Sequence, residues 1–267
     1  MNYLIFWIEG FRITFKQRVE FKVNLISSIL LSIIEFLIAI FFGYVFVGVV
    51  GDSLNWSYPI FILFIFLLHL FLHISGIFFY GYFPNLEYQI KTGDISSYFC
   101  KPGNKFLVFL LKPRHNSLVN ILVDIVLFVP LLIYLLDFTF FNVFIGVILL
   151  FLIIILNVLF VHFLMSFSWI FLKLGAFLID QIYWNVLQKN LRNYPFQMFS
   201  NNSILLSAMS LLPMYYVSVV LVPIVAYGDY SSLMNINYYI LMSSIIVMVS
   251  VLIFNWSYGV KNYEAYG

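Results

Sequence analysis

His69 and His73 stand four residues apart in an otherwise apolar run, so a helix would place both imidazoles on one face. Such a pair can ligate a metal or hydrogen-bond a neighbouring helix. A zinc protease of the H-E-x-x-H kind needs Glu after the first histidine, and the chain has Leu70 there. Ser75-Gly76 lacks the glycine two residues ahead that an intramembrane serine site would carry, because that residue is His73. No G-x-x-x-x-G-K-[ST] phosphate loop occurs, which removes that route to ATP. The single cysteine, Cys100, can form neither an internal disulfide nor a thiolate cluster. No catalytic residue and no metal ligand set are therefore assigned. The histidine pair is read as an interhelical hydrogen-bonding contact.

Three acids fall in or beside apolar stretches, where ionisable groups are costly and functional by default. Glu35 lies midway along the first stretch, and Asp124 about a third of the way into the third. Asp180 accompanies Lys173, Gln181, Asn185 and Gln188, which recur near helical spacing and would form one polar stripe. Glu35, Asp124, Asp180 and Gln181 read as the polar wall of a translocation route, or as inward-facing structural contacts. Their spacing makes no regular proton relay.

The elements that hold these residues are set by composition. The 267 residues are 64% hydrophobic and 9% charged. Soluble domains sit near about 45–50% apolar and about 25% charged. Only 24 charges (13 Lys+Arg and 11 Asp+Glu) are available to cover a water-facing surface. The chain is therefore expected to be an all-α integral membrane protein. The net charge of +2 implies no nucleic-acid partner. Charge-poor runs at 24–50, 53–86, 117–136, 138–172, 193–228 and 230–260 give six apolar stretches. They are too long, and too little alternating, for strands.

Bases cluster before the first stretch (Arg12, Lys16, Arg18, Lys22), between the second and third (Lys91, Lys101, Lys105, Lys112, Arg114) and after the last (Lys261). The turns around Asp52, Asp137 and Asp229 carry acids without bases. The positive-inside rule puts both termini and the 84–116 loop in the cytoplasm of a multi-pass cell-membrane protein. No cleavable signal sequence is expected. Residues 1–23 pattern as an amphipathic helix, with Leu4, Trp7, Ile8, Phe11 and Phe15 opposite Arg12, Lys16 and Glu20. It would lie on the inner membrane surface or pack on protein.

The segment from Leu86 to Pro102, LEYQIKTGDISSYFCKP, resembles the cytoplasmic I-x-x-G-x-[ILF]-x-x-x-[LF]-x-[KR]-P segment of ABC-2 type (type-2 ABC) transporter permeases. The tail from Trp256 to Gly267 is similar to that family's ending, with an aromatic, a glycine, a basic residue and tyrosine. Tyr183-Trp184 and the later Tyr194-Pro195, Pro213 and Pro223 resemble its aromatic helix followed by proline-broken apolar segments. The stretch from Phe15 to Phe21 resembles its basic–aromatic leading helix, with Gln17-Arg18 in place of Tyr-Arg. The likeness runs in order along the whole chain.

What the resemblance implies is a single permease domain over 1–267. It would be the membrane subunit of a bacterial exporter whose ATPase is a separate polypeptide. ATP and magnesium would belong to that partner, with no cofactor on this chain. A second permease subunit, identical or related, would complete the translocation route. Glu87, Ile90, Gly93, Asp94, Lys101 and Pro102 would form a coupling helix that docks on the ATPase. Here Gly93 could cap the helix in a left-handed conformation and Pro102 could stop its successor. The same basic loop also suits anionic lipid headgroups. Charge alone makes 203–227 the fifth crossing. The family pattern makes it 168–190, turns 194–227 into a re-entrant hairpin on the outer side, and puts Lys189 and Arg192 outside. The alternative function is a membrane scaffold or immunity protein that binds a partner and transports nothing.

Overall fold

A computed structural model describes residues 20–54, 56–79, 90, 92–100, 118–167, 209–236 and 238–262, with isolated positions elsewhere. Among these residues the regular elements are all helical. They are α1 (Lys22–Leu54), α2 (Tyr58–Phe79), α3 (Ser96–Phe99), α4 (Leu118–Leu135), α5 (Phe140–Ser166), α6 (Val222–Tyr227) and α7 (Tyr238–Lys261). A π-helical turn, Val217–Leu221, leads into α6, and a 3₁₀ helix, Tyr230–Asn235, follows it.

Five of these helices are long and apolar enough to cross a membrane. At about 1.5 Å per residue, the 18 residues of α4 rise about 27 Å and the 27 of α5 about 40 Å. The first is close to a hydrocarbon layer of about 30 Å, and the second fits it with tilt. The segments are helical because every backbone N–H and C=O must be satisfied within the segment there, and apolar because the surrounding hydrocarbon is. Their ends follow local signals. Thr139 caps α5, its hydroxyl accepting from the Asn142 N–H. Gly228 closes α6 at φ +68, where a Cβ is disfavoured.

Helix α2 is the centre of the bundle. It packs against α1, α4, α5 and α6. In its apolar window 72% of residues are buried, against 11% for α1. Phe61, Phe64 and Phe71 are fully buried on it. Lipid is as apolar as these side chains, so close packing rather than transfer from water holds such helices together. The rings do this work: Phe46 lies 4.8 Å from Phe61, and Trp56 lies 5.4 Å from Phe64. Against α5, Gly146 admits Val225 of α6 where any Cβ would collide.

The all-α, multi-pass reading holds among the described residues. The proposed fifth crossing at 168–190 lies almost entirely outside them, as does most of 194–208. A single straight helix over 203–227 is not what the described part of that stretch forms. Residues 210–214 make turns around Pro213, and the apolar helix after them runs only from Val217 to Tyr227. In the N-terminal region, Ile5, Ile8 and Ile13 are exposed on helical positions, and Arg12 lies 3.6 Å from Glu9.

Candidate functional site

Asp124 of α4 is 1% exposed and points at both histidines of α2. Its Oδ1 lies 3.7 Å from His69 Nδ1, and its Oδ2 lies 3.3 Å from His73 Nε2. One ligand-capable atom from each of the three side chains falls within 4.8 Å of the others. The i, i+4 spacing puts both imidazoles on one face of α2. Antiparallel packing then brings the polar face of α4 across from them. That direction is legible in the contacts: His69 meets both Asp124 and Phe128, and Phe66 meets Phe128 at 5.5 Å. Residue numbers therefore fall on α2 as they rise on α4.

Aromatic rings close the cluster on one side. Phe128 sits edge-on to His69 with centroids 5.7 Å apart, and Phe36 of α1 sits edge-on to Phe128 at 4.8 Å. Helices α1 and α2 are joined by a short turn and run oppositely, so α1 and α4 run the same way. Ser32 is one turn before Phe36, as Asp124 is one turn before Phe128. This register sets Ser32, 1% exposed, at the depth of Asp124. Asn120 lies one turn before Asp124 on the same face of α4.

The electrostatics of the layer are unusual for a bundle core. Among the described residues neither oxygen of Asp124 has a hydrogen-bond partner, and the same holds for His69 Nδ1, Asn120 Oδ1 and Ser32 Oγ, all buried. An ionised carboxylate in such surroundings needs a compensating positive charge. His69 and His73 keep 14% and 18% of their side-chain surface open, so the layer is not sealed. It stands toward the C-terminal end of α2 and the N-terminal end of α4. His73 is six residues before the end of α2, and Asp124 is the seventh residue of α4.

The residues anticipated for a translocation wall do not all converge. Asp124 is in the layer. Glu35 lies on the exposed side of α1, facing away from the buried core. Asp180 and Gln181 lie outside the described residues. The sequence reading missed the assembly of Asp124 with the histidine pair. It had assigned no metal set, and the structure brings together three groups that could hold an ion. The signal that was present is the combination of an intramembrane acid and an i, i+4 histidine pair.

Of the anticipated coupling residues, Ile90, Gly93 and Asp94 are described, while Glu87, Lys101 and Pro102 lie outside the described residues. Gly93 takes φ +80. Its N–H donates to the Ile90 carbonyl at 3.4 Å, and its own carbonyl accepts from the Ser96 N–H at 2.9 Å and Ser96 Oγ at 2.7 Å. Thr92 Oγ1 donates to Asp94 Oδ2 at 2.8 Å. Ile90 and Ile95 are buried, whereas Thr92 and Asp94 are exposed. The result is a tight knuckle anchored by two isoleucines, with a polar side turned outward.

A second buried polar contact links the last helix to α5. Asn255 Nδ2 donates to Ser166 Oγ at 2.8 Å. Ser166 in turn donates to the Phe163 carbonyl at 2.7 Å. Comparison with protein-family models, with curated proteins and with solved structures gave no match.

Proposed function

We propose that the chain is the membrane-embedded subunit of an ABC-2 type exporter of a bacterial cell membrane, powered by ATPase subunits on separate polypeptides. The observation that carries this reading is the knuckle at 90–100. It lies between the second and third membrane-length helices, where the basic loop is. Its buried Ile90 and Ile95 anchor it, and its exposed Thr92 and Asp94 give a partner something to grip. A chain without a phosphate loop must take its mechanical work from outside, and a compact turn between two spans is a fit lever for that. In this reading both termini and the 84–116 loop are cytoplasmic, as the positive-inside rule requires. Residues 168–190 form the fifth crossing. The short helix Val217–Tyr227, at about 17 Å, then supplies one limb of a re-entrant hairpin, a form tolerated where it is buried in protein. Val217, Leu221, Val222 and Ile224 are fully buried, which satisfies that condition. A second permease subunit completes the route, and its apolar, aromatic lining suits a hydrophobic peptide or lipid-like substrate.

The test is recovery of the chain from its native membrane in mild detergent, followed by identification of bound ATPase. A stable complex is expected, with ATP hydrolysis coupled to transport. Gly93→Val should uncouple the two or release the ATPase, because a β-branched residue at positive φ is a genuine outlier. Asp94→Lys and Glu87→Lys should do the same by reversing local charge. A chain that recruits no ATPase, or a complex indifferent to all three changes, overturns the exporter reading and leaves a partner-binding scaffold in its place.

A further inference from the structure

We propose that His69, His73 and Asp124 form a binding site for a divalent transition-metal ion of the zinc class, resident in the bundle and joining α2 to α4. The proposal does not depend on the transport reading. The three donors already lie within 4.8 Å of one another. Around an ion with bonds of about 2.0–2.2 Å, tetrahedral donors stand about 3.4 Å apart. The two approaches to Asp124, 3.7 Å to Oδ1 and 3.3 Å to Oδ2, are close to that spacing, and donors within 4.8 Å of one another need draw in only a little around an ion.

The donor set selects the class of ion. Two imidazoles and one carboxylate suit zinc, iron, nickel or copper, while hard cations such as calcium and magnesium want oxygen ligands. Three protein ligands leave a tetrahedral ion one open position.

A second, independent observation points into the same place. Asp124 is 1% exposed, and both of its oxygens lack a hydrogen-bond partner among the described residues. Buried polar atoms without partners are uncommon in folded chains, and each calls for an explanation. A bound dication supplies it by matching the carboxylate with positive charge, with one nitrogen of each imidazole as a further ligand. His69 and His73 keep 14% and 18% of their side-chain surface open, so the cluster is not sealed against an ion.

The test uses the full chain in detergent on a Cys100→Ser background, with a purification tag that contains no histidine, stripped with chelator and then titrated with zinc or cobalt. One ion per chain is expected, with the visible bands of four-coordinate cobalt. A zinc-dependent rise in unfolding temperature should accompany it, since an ion that binds only the folded chain stabilises it by mass action. Asp124→Asn and His73→Gln should each weaken binding by at least about 100-fold, the upper end of what even outer-shell changes cost. His162→Gln, on α5 and outside the three donors, should bind as the parent does. Should the two ligand variants fail to fold, pulsed electron paramagnetic resonance of the copper-loaded parent decides, with two coordinated imidazoles expected. Folded parent protein that binds no stoichiometric ion, or ligand variants that fold and bind undiminished, overturns the site, as does a copper spectrum without imidazole nitrogen.

Discussion

Asn255 of α7 donates to Ser166 of α5 across a fully buried contact of 2.8 Å. Both residues stand near the ends of their helices, so one hydrogen bond fixes the register of the last helix on the fourth long one. Asn255 is 1% exposed and Ser166 4%, which leaves neither an alternative in lipid. Interhelical hydrogen bonds of this kind average about 0.6 kcal/mol and reach about 1.7. Asn255→Leu is expected to lower the unfolding free energy within that range while leaving the Ser166 bond to Phe163 intact. Ser166→Ala should cost a similar amount, and the double variant little more than either alone. Detergent-denaturation curves of the four proteins check this. Fully additive losses would show that the two side chains act independently.

Helix α5 depends on a second close approach. A Cβ on Gly146 would drive into Val225 of α6. Inserting bulk into a well-packed site costs about 1–3 kcal/mol. Gly146→Ala should therefore destabilise the bundle in that range, and Val225→Ala should restore part of the loss. The rescue separates a steric clash from a change in helix propensity, because alanine is the better helix former of the two. Thermal unfolding of the single and double variants reads it directly.

How much of this was legible beforehand follows from which interactions are local. Charge-poor windows located α1, α2, α4, α5 and α7 because crossing a bilayer is a property of one segment. The left-handed Gly93 was legible because few other residues sit comfortably at φ +80. The central place of α2 was not. Its apolar run looks like that of α1, yet 72% of one and 11% of the other is buried, and the difference arises only from neighbours. The His–Asp layer was hidden for the same reason. His73 and Asp124 belong to different helices separated by the basic loop, and no spacing rule spans that gap.

Gly228 ends α6 at φ +68, and a Cβ built there would lie 2.9 Å from Asn142 Nδ2. The neighbouring Tyr230 hydroxyl donates to Asn142 Oδ1 at 2.7 Å, so Asn142 is not free to move away. Gly228→Val meets both a forbidden backbone region and a fixed neighbour. A loss of about 1–3 kcal/mol is expected. Tyr230→Phe, which removes only the hydroxyl, should cost about 0.5–1.5 kcal/mol. Equal stability of Gly228→Val and the parent would mean that this turn relaxes freely.

The turn at Asp229 also tests the topology. On a Cys100→Ser background, single cysteines at Asn190, Asn202 and Asp229 should all react with an impermeant thiol reagent added outside. Cys100 in the parent chain, exposed beside the knuckle, should react only after the membrane is opened. Labelling of positions 190 and 202 solely from the cytoplasm would remove the re-entrant hairpin. A reactive Cys100 outside would invert the whole orientation.

Glu35 makes the last prediction. It lies on the exposed side of α1, midway along a membrane-length helix, among Leu31, Ile34, Leu37 and Ile38, which are also exposed. Apolar neighbours are content in lipid, but a carboxylate there is costly by at least about 2.5 kcal/mol and is ordinarily turned toward protein or water. The second permease subunit of the proposed exporter would provide that cover. Glu35→Cys, without Cys100, should then form a disulfide-linked dimer in native membranes if the subunits are identical. Ile26→Cys, exposed more than two turns earlier on the same helix, should do so far less. Glu35→Gln should preserve insertion but lower transport. If the parent membranes contain a related second permease, the cross-link should run to that chain when it carries a partner cysteine. Membranes in which Glu35→Cys cross-links to neither chain, and in which Glu35→Gln transports as the parent does, would place Glu35 away from both the interface and the route.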